Sequence, residues 1–162
     1  LTLASGCHEA VAQALANETE VIDALDFLAV RASQLSFRAC HQRIAVHLPC
    51  TQRNVVRSVP ALRRLLAQVP GLQVIELDAG FGCCGAAGLN MLTEPERARG
   101  YRQPLLDQLH ASGASCLLSA NIGCRLHLSS GTALTVQHPL EFLAGLLETS
   151  SPPSPANPAT RA

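Results

Sequence analysis

Arg43-Ile-Ala-Val-His-Leu-Pro-Cys50 is the stretch on which the fold turns. A short apolar run, Arg43 to Leu48, stops at Pro49, and a cysteine follows at once. Such a run reads as a buried strand, ended by a residue that has no N–H for a ladder. The segments after it alternate. Val55 to Val69 carries apolar residues at helical spacing and stops at Pro70-Gly71, with Pro60 marking a break or the start of the main helix. Leu72 to Leu77 reads as a second strand. Pro95 suits the first turn of a helix running to about His110, and Pro104 within it predicts a kink or break. Ser115 to Ser119 reads as a third strand, followed by a short helix after Gly123, a strand at Ala133 to Val136, and an amphipathic helix from His138 to Glu148. The alternation predicts an α/β fold, a parallel Rossmann-like sheet with helices on both faces. Right-handed crossovers then set the β→α loops along one rim, where open sheets of this kind bind ligands.

The composition fits one buried core. Of 162 residues, 48% are hydrophobic and 15% charged, which excludes wholesale disorder. Twelve basic residues, all arginine, balance twelve acidic ones, so no basic field exists to hold nucleic acid. No apolar run reaches the roughly 18 residues of a membrane span. Residues 150–162, rich in proline and small side chains, are expected to form a disordered tail.

Seven cysteines are the unusual feature. Cys83 and Cys84 are adjacent and precede Gly85, an arrangement that suits a metal or redox centre in a cytoplasmic protein better than a secreted disulfide framework. Cys50 follows the first strand, Cys83 and Cys84 the second, and Cys124 the third. Four thiols therefore meet the same rim, close to helix N-termini that favour thiolates. Four thiolates suffice for an iron–sulfur cluster or for zinc, and the competing reading is four packing residues left after loss of a metal. Gly82, Gly85 and Gly88 are expected at positive φ or in close approach to a cofactor. Cys116 reads as core and Cys40 as an incidental loop residue. His47 and His127 either tune a cluster's hydrogen bonds or cap their elements, and His138 reads as a helix start. Arg53, Arg57, Arg63 and Arg64 read as a solvated face, with an anionic partner as the alternative for Arg53 near Cys50, and Asn121 reads as a donor to a sulfur. No dinucleotide fingerprint follows a strand, and no residues are set out for acid–base or nucleophilic hydrolysis.

The chain also echoes itself. Leu3-Ala-Ser-Gly-Cys-His8 parallels Ala120-Asn-Ile-Gly-Cys-Arg125, and Val21-Ile-Asp-Ala-Leu-Asp-Phe-Leu-Ala29 parallels Val136-Gln-His-Pro-Leu-Glu-Phe-Leu-Ala144. Two matches in one order suggest a repeat. Residues 1–39 then read as the end of a preceding copy, 40–149 as a complete one, and Cys7 as the counterpart of Cys124, an additional candidate ligand. The chain reads as a C-terminal piece of something longer.

Thirty-two residues (51–82) separate Cys50 from Cys83, and thirty-five (86–120) separate Gly85 from Asn121-Ile-Gly-Cys124. With this spacing the chain resembles the cysteine-rich CCG domain family, which includes a subunit of heterodisulfide reductase and the iron–sulfur subunits of glycolate and lactate oxidation systems. His47-Leu-Pro-Cys-Thr51, Cys83-Cys-Gly-Ala-Ala-Gly88 with Leu92-Thr-Glu-Pro95, and Ala120 to Ser129 are similar to the glycolate oxidase branch. Asn121 stands where the heterodisulfide reductase branch has a further cysteine ligand. The resemblance implies a [4Fe–4S] cluster held by Cys50, Cys83, Cys84 and Cys124, in an electron-transfer subunit of a glycolate oxidase (dehydrogenase) complex. It implies a flavoprotein partner carrying FAD, a ferredoxin-like region N-terminal to this chain, and electrons moving toward the quinone pool. It also implies a place in the cytoplasm, at the inner face of the cell membrane through peripheral association of the complex. This piece alone is not expected to be catalytic. The alternatives are a heterodisulfide-reductase-like or lactate-utilisation iron–sulfur oxidoreductase, or a metal-free docking domain.

Overall fold

A computed structural model describes residues 1–148; the tail expected at 150–162 lies outside the described residues. The elements in chain order are α1 (His8–Ala14), α2 (Ala24–Ala29), β1 (Arg43–His47), α3 (Val59–Leu66), β2 (Gln73–Leu77), α4 (Asn90–Thr93), α5 (Pro95–Ser112), β3 (Cys116–Ser119), α6 (Ile122–Ser129), β4 (Thr135–Gln137) and α7 (Pro139–Ala144). The four strands form one parallel sheet in the order β2-β1-β3-β4. Side chains alternate between the faces of a strand, and the two cores follow that alternation. Ile44, Val46, Cys116 and Leu118 pack one way, against Leu25 of α2, Leu62 and Leu65 of α3, and Phe142 of α7. Ala45, Leu77 and Leu117 pack the other way, against Leu105 and Leu109 of α5 and Leu128 of α6. Cys84 and Cys124 belong to this second core. Among the described residues no helix is long and apolar enough to cross a membrane.

Several local expectations need correction. The helical pattern from Val55 to Val69 divides. A π-helical turn covers Gln52–Val56, Arg57 takes a left-handed conformation at φ 61, and α3 starts afresh with Pro60 in its first turn. Pro104 does not break α5, which runs through it for 18 residues. The carbonyl that Pro104 leaves without its usual donor is that of Gly100, an exposed residue, so water can satisfy it. Cys40 is not incidental. It is buried in the same core as Cys116, which stands there as expected. The closing helix ends at Ala144, shorter than the apolar pattern suggests.

The first residues are tied to the starts of α2 and α7. Thr2 forms an isolated parallel bridge with Asp23, whose side chain caps α2. His138 caps α7: its Nδ1 accepts from the Leu140 N–H at 3.1 Å, and Glu141 accepts from the His138 N–H at 2.7 Å. The other ring nitrogen, Nε2–H, donates to the Leu3 carbonyl at 2.8 Å. One imidazole thus starts a helix and anchors the N-terminal segment. His138→Ala should lower stability to urea by about 1–2 kcal/mol, the combined scale of a cap and one buried hydrogen bond. His138→Asn should recover the cap but leave the amides of residues 2–5 exchanging faster with deuterium. Unchanged stability in the alanine variant would contradict this role.

Candidate functional site

The site is built from the carboxyl ends of β1 and β3. His47 lies two residues beyond Ala45 and so faces α5 and α6, level with Leu77 of β2 and Ser119 of β3. Its Nε2 lies 3.0 Å from the Gly82 carbonyl and its Nδ1 3.1 Å from the Ser119 hydroxyl. A carbonyl only accepts, so Nε2 carries the proton and donates to Gly82, while Nδ1 accepts from Ser119. Burial holds this imidazole neutral and lowers its pKa to about 4; Arg53 adds to the effect and the Gly82 bond opposes it.

That bond fastens the double-cysteine loop to the sheet. Gly82, Gly85 and Gly88 all have positive φ, as expected. At Gly85 there is no room for a side chain. A Cβ would lie 2.6 Å from the Ala98 carbonyl oxygen and 2.9 Å from the Tyr101 Cβ. The loop therefore presses against α5, and the Gly85 N–H points to the Cys83 sulfur at 3.4 Å.

Asn121 does not donate to a sulfur. Its Oδ1 accepts from the N–H groups of Gly123 at 2.9 Å and Cys124 at 3.3 Å, capping α6. Its Nδ2 donates to the Thr51 hydroxyl at 3.2 Å, and that hydroxyl also meets the Ser5 hydroxyl at 2.8 Å. Asn121 thus aims the helix that carries Cys124. It also links that helix to the turn carrying Cys50 and to the N-terminal segment.

Cys50, Cys83, Cys84 and Cys124 line one cavity of about 300 Å³, together with His47, Thr51 and Asn121. Cys84 and Cys124 are buried at its floor; Cys83 is half-buried and Cys50 exposed, so the mouth lies on their side. The neighbouring Cys124 thiol, with the N–H groups of Ala86 and of Cys84 itself, lowers the Cys84 pKa against the cost of burial. Cys124 is pushed the other way, toward its protonated form, by Cys84, by burial, and by the charges of Cys84, Cys50 and Cys83. Cys7 is exposed at the start of α1 and is not part of the cavity lining.

The ligand atoms of His47, Cys84 and Cys124 lie within 4.8 Å of one another. Both ring nitrogens of His47 are nevertheless engaged, so the imidazole has no free lone pair while Gly82 and Ser119 hold it. The soft donors available are sulfurs. The sequence alone leaves His47 between tuning and capping; the period of two along β1 is the signal for its position. Thr51 and Ser5 have none, because their contacts join segments far apart in the chain. His127 is structural: its Nε2–H donates to the Ala98 carbonyl at 3.1 Å, joining α6 to α5.

A parallel sheet with thiols gathered at its carboxyl edge defines a cysteine-rich α/β domain. Residues 44–129 match the family described as "CCG: Cysteine-rich domain", and the chain belongs to that family. It is similar to the glycolate oxidase iron-sulfur subunit of Escherichia coli (strain K12), 30% identical over 107 residues, covering 66% of this chain and 26% of the relative. It is also similar to a subunit of the fumarate reductase (CoM/CoB) of Methanothermobacter marburgensis, 26% identical over 113 residues, covering 68% of this chain and 23% of the relative. A subunit of the anaerobic glycerol-3-phosphate dehydrogenase of Escherichia coli (strain K12) is 28% identical over 107 residues, covering 65% of this chain and 26% of the relative. The chain spans about a quarter of the length of these relatives. By name, all three are subunits of oxidoreductases.

Two measurements test this geometry. The lowered pKa of His47 means the unfolded chain takes up a proton that the fold refuses between pH 6.5 and about 4. Its contribution is level above pH 6.5, and stability falls as the pH drops through that window, by at most about 1.4 kcal/mol per pH unit for this one group. His47→Gln should flatten the acid limb of a urea-unfolding series, and an identical slope in both proteins would contradict it. Gly85→Ala should cost at least about 2 kcal/mol from strain and collision with α5, whereas Gly100→Ala, with open space around it, should be tolerated or stabilising.

Proposed function

We propose that this chain is the C-terminal part of an iron–sulfur electron-transfer subunit of a glycolate oxidase (dehydrogenase) complex. The observation that carries the reading is the single cavity lined by four thiols, from the turn after β1, the loop after β2 and the first turn of α6. Its volume of about 300 Å³ is roughly ten times the space of one water molecule. That suits a polynuclear cluster better than a lone ion drawn tightly between four sulfurs. Cys50, Cys83, Cys84 and Cys124 would hold it, and a [4Fe–4S] cluster supplies one-electron storage without proton transfer.

The chain's own groups suit that task. The Gly85 N–H points to Cys83, and Cys124 sits in the first turn of α6, where the positive end of the helix dipole offsets thiolate charge. His47 stays neutral and adds no competing charge. Cys84 and Cys124 sit away from water at the floor. The reaction with the hydroxy acid belongs to a flavoprotein partner carrying FAD. A ferredoxin-like region N-terminal to this chain relays electrons toward the quinone pool, and the complex works at the inner face of the cell membrane. Residues 1–39 are the end of a preceding copy of the same domain. The Thr2–Asp23 bridge supports this: under the sequence echo it corresponds to Ser119 facing His138, one step past the β3–β4 ladder in unchanged register.

Anaerobic purification tests the reading. The chain should be brown, contain about four irons, and bleach on reduction, and Cys84→Ser or Cys124→Ser should abolish the colour. A colourless protein with stoichiometric zinc would contradict it.

A further inference from the structure

Phe81 has no role in the cavity, yet it is 91% exposed immediately before the double cysteine. The exposure is built in. Ala79 to Gly82 forms a turn closed by the Gly82 N–H donating to the Ala79 carbonyl at 3.1 Å, with Phe81 at its tip. The base of the turn is pinned to α5, where the Gln108 side-chain oxygen accepts from the N–H groups of Asp78 and Ala79, each at 2.9 Å. Gln108 also donates to the Asp78 carboxylate at 3.0 Å, which occupies the one acidic group of the turn. The far side of the turn is held by His47 at Gly82. Phe81 is therefore a rigidly presented aromatic side chain.

Its surroundings have a definite chemistry. Phe81 lines a groove of about 460 Å³ with Gly80, Arg97, Gly100, Tyr101 and Pro104, and no carboxylate lines it. On the other side, the Arg53 guanidinium lies against Gly82, 3.2 Å from where a Cβ would stand. Among the described residues neither Arg53 nor Arg97 has an acidic partner; Glu76 is taken by Arg63 and Glu96 by Arg99. Further along the chain, Leu89 and, within α4, Leu92 are exposed at 67% and 79%. An aromatic anchor flanked by unpaired arginines has the composition of an interface centre.

We propose that Phe81, its groove and the flanking Arg53 and Arg97 are the docking face for a second redox-active protein, one that offers an apolar pocket ringed by carboxylates. The proposal rests on the reading of the cavity as an electron-transfer centre, since that centre must exchange electrons with another one across a close contact. The turn supplies such a contact: one side of the loop lines the cysteine cavity, and the other presents Phe81. A protein partner satisfies both the charge pattern and the need for a second redox centre; an anionic lipid surface satisfies only the first.

Photo-crosslinking tests this in the full-length protein within the cells it comes from. A benzophenone-bearing phenylalanine analogue is placed at position 81 and activated before lysis. The expected product is a cross-link to one flavin- or metal-bearing polypeptide, at an apolar pocket flanked by Asp or Glu. Phe81→Ser should lower recovery of that complex about tenfold or more, and Arg53→Glu with Arg97→Glu should lower it as well, with the visible absorption of the iron–sulfur protein retained. A cross-link only to lipid, Phe81-dependent sedimentation with phosphatidylglycerol–phosphatidylethanolamine vesicles, or no protein adduct would overturn the proposal. The expected cross-link from a protein that binds no iron would leave the docking face standing and overturn the reading of the cavity.

Discussion

Parallel registration of β1 against β3 brings His47 level with Ser119, and the two hydrogen bonds of that imidazole tie the sheet to the loop carrying Cys83 and Cys84. The rest of the site depends on this fastening. Without it, the loop after β2 would keep its contacts with α5, through Gln108 and Gly85, but lose its tie to the sheet. With it, the sulfurs of the second loop face those carried by the turn after β1 and by α6. One rim of a parallel sheet is the place where chain segments distant in sequence can deliver side chains to a common point, because every strand ends there in the same sense.

The chemistry of the rim follows from what is engaged and what is free. His47 has both nitrogens committed and a low pKa, so it shapes the cavity, and the free soft donors of the lining are sulfurs. Cys84 and Cys124 are neighbours in a cavity lined by no cationic side chain, and their contact lowers the pKa of Cys84 and raises that of Cys124. Asn121 acts from outside the sulfur set. By capping α6 and holding Thr51, it fixes the segments carrying Cys50 and Cys124 against each other. A cysteine there would offer another thiolate but a poorer cap.

Much of this is legible in the sequence, and the limits have physical causes. Strand positions, the parallel sheet and the four rim cysteines can be read from short apolar runs ending in loops with cysteine. Those signals are local, and the fold obeys them. The π-helical turn after Cys50 and the left-handed Arg57 are not legible, since helical periodicity does not report a change in winding. Pro104 misleads, because the rule against interior proline assumes a carbonyl that cannot find water, and Gly100 is exposed. Cys40 looks incidental because it lies outside any element; its burial comes from packing beside Cys116. The bonds joining Ser5, Thr51 and Asn121 span the chain and leave no periodic trace.

Sulfur alone should close the centre, and X-ray absorption at the iron edge of the anaerobically purified chain tests this most directly. An all-sulfur first shell with a short iron–iron path is the predicted result. A nitrogen ligand, which only His47 among the cavity-lining side chains could supply through its ring, would contradict it.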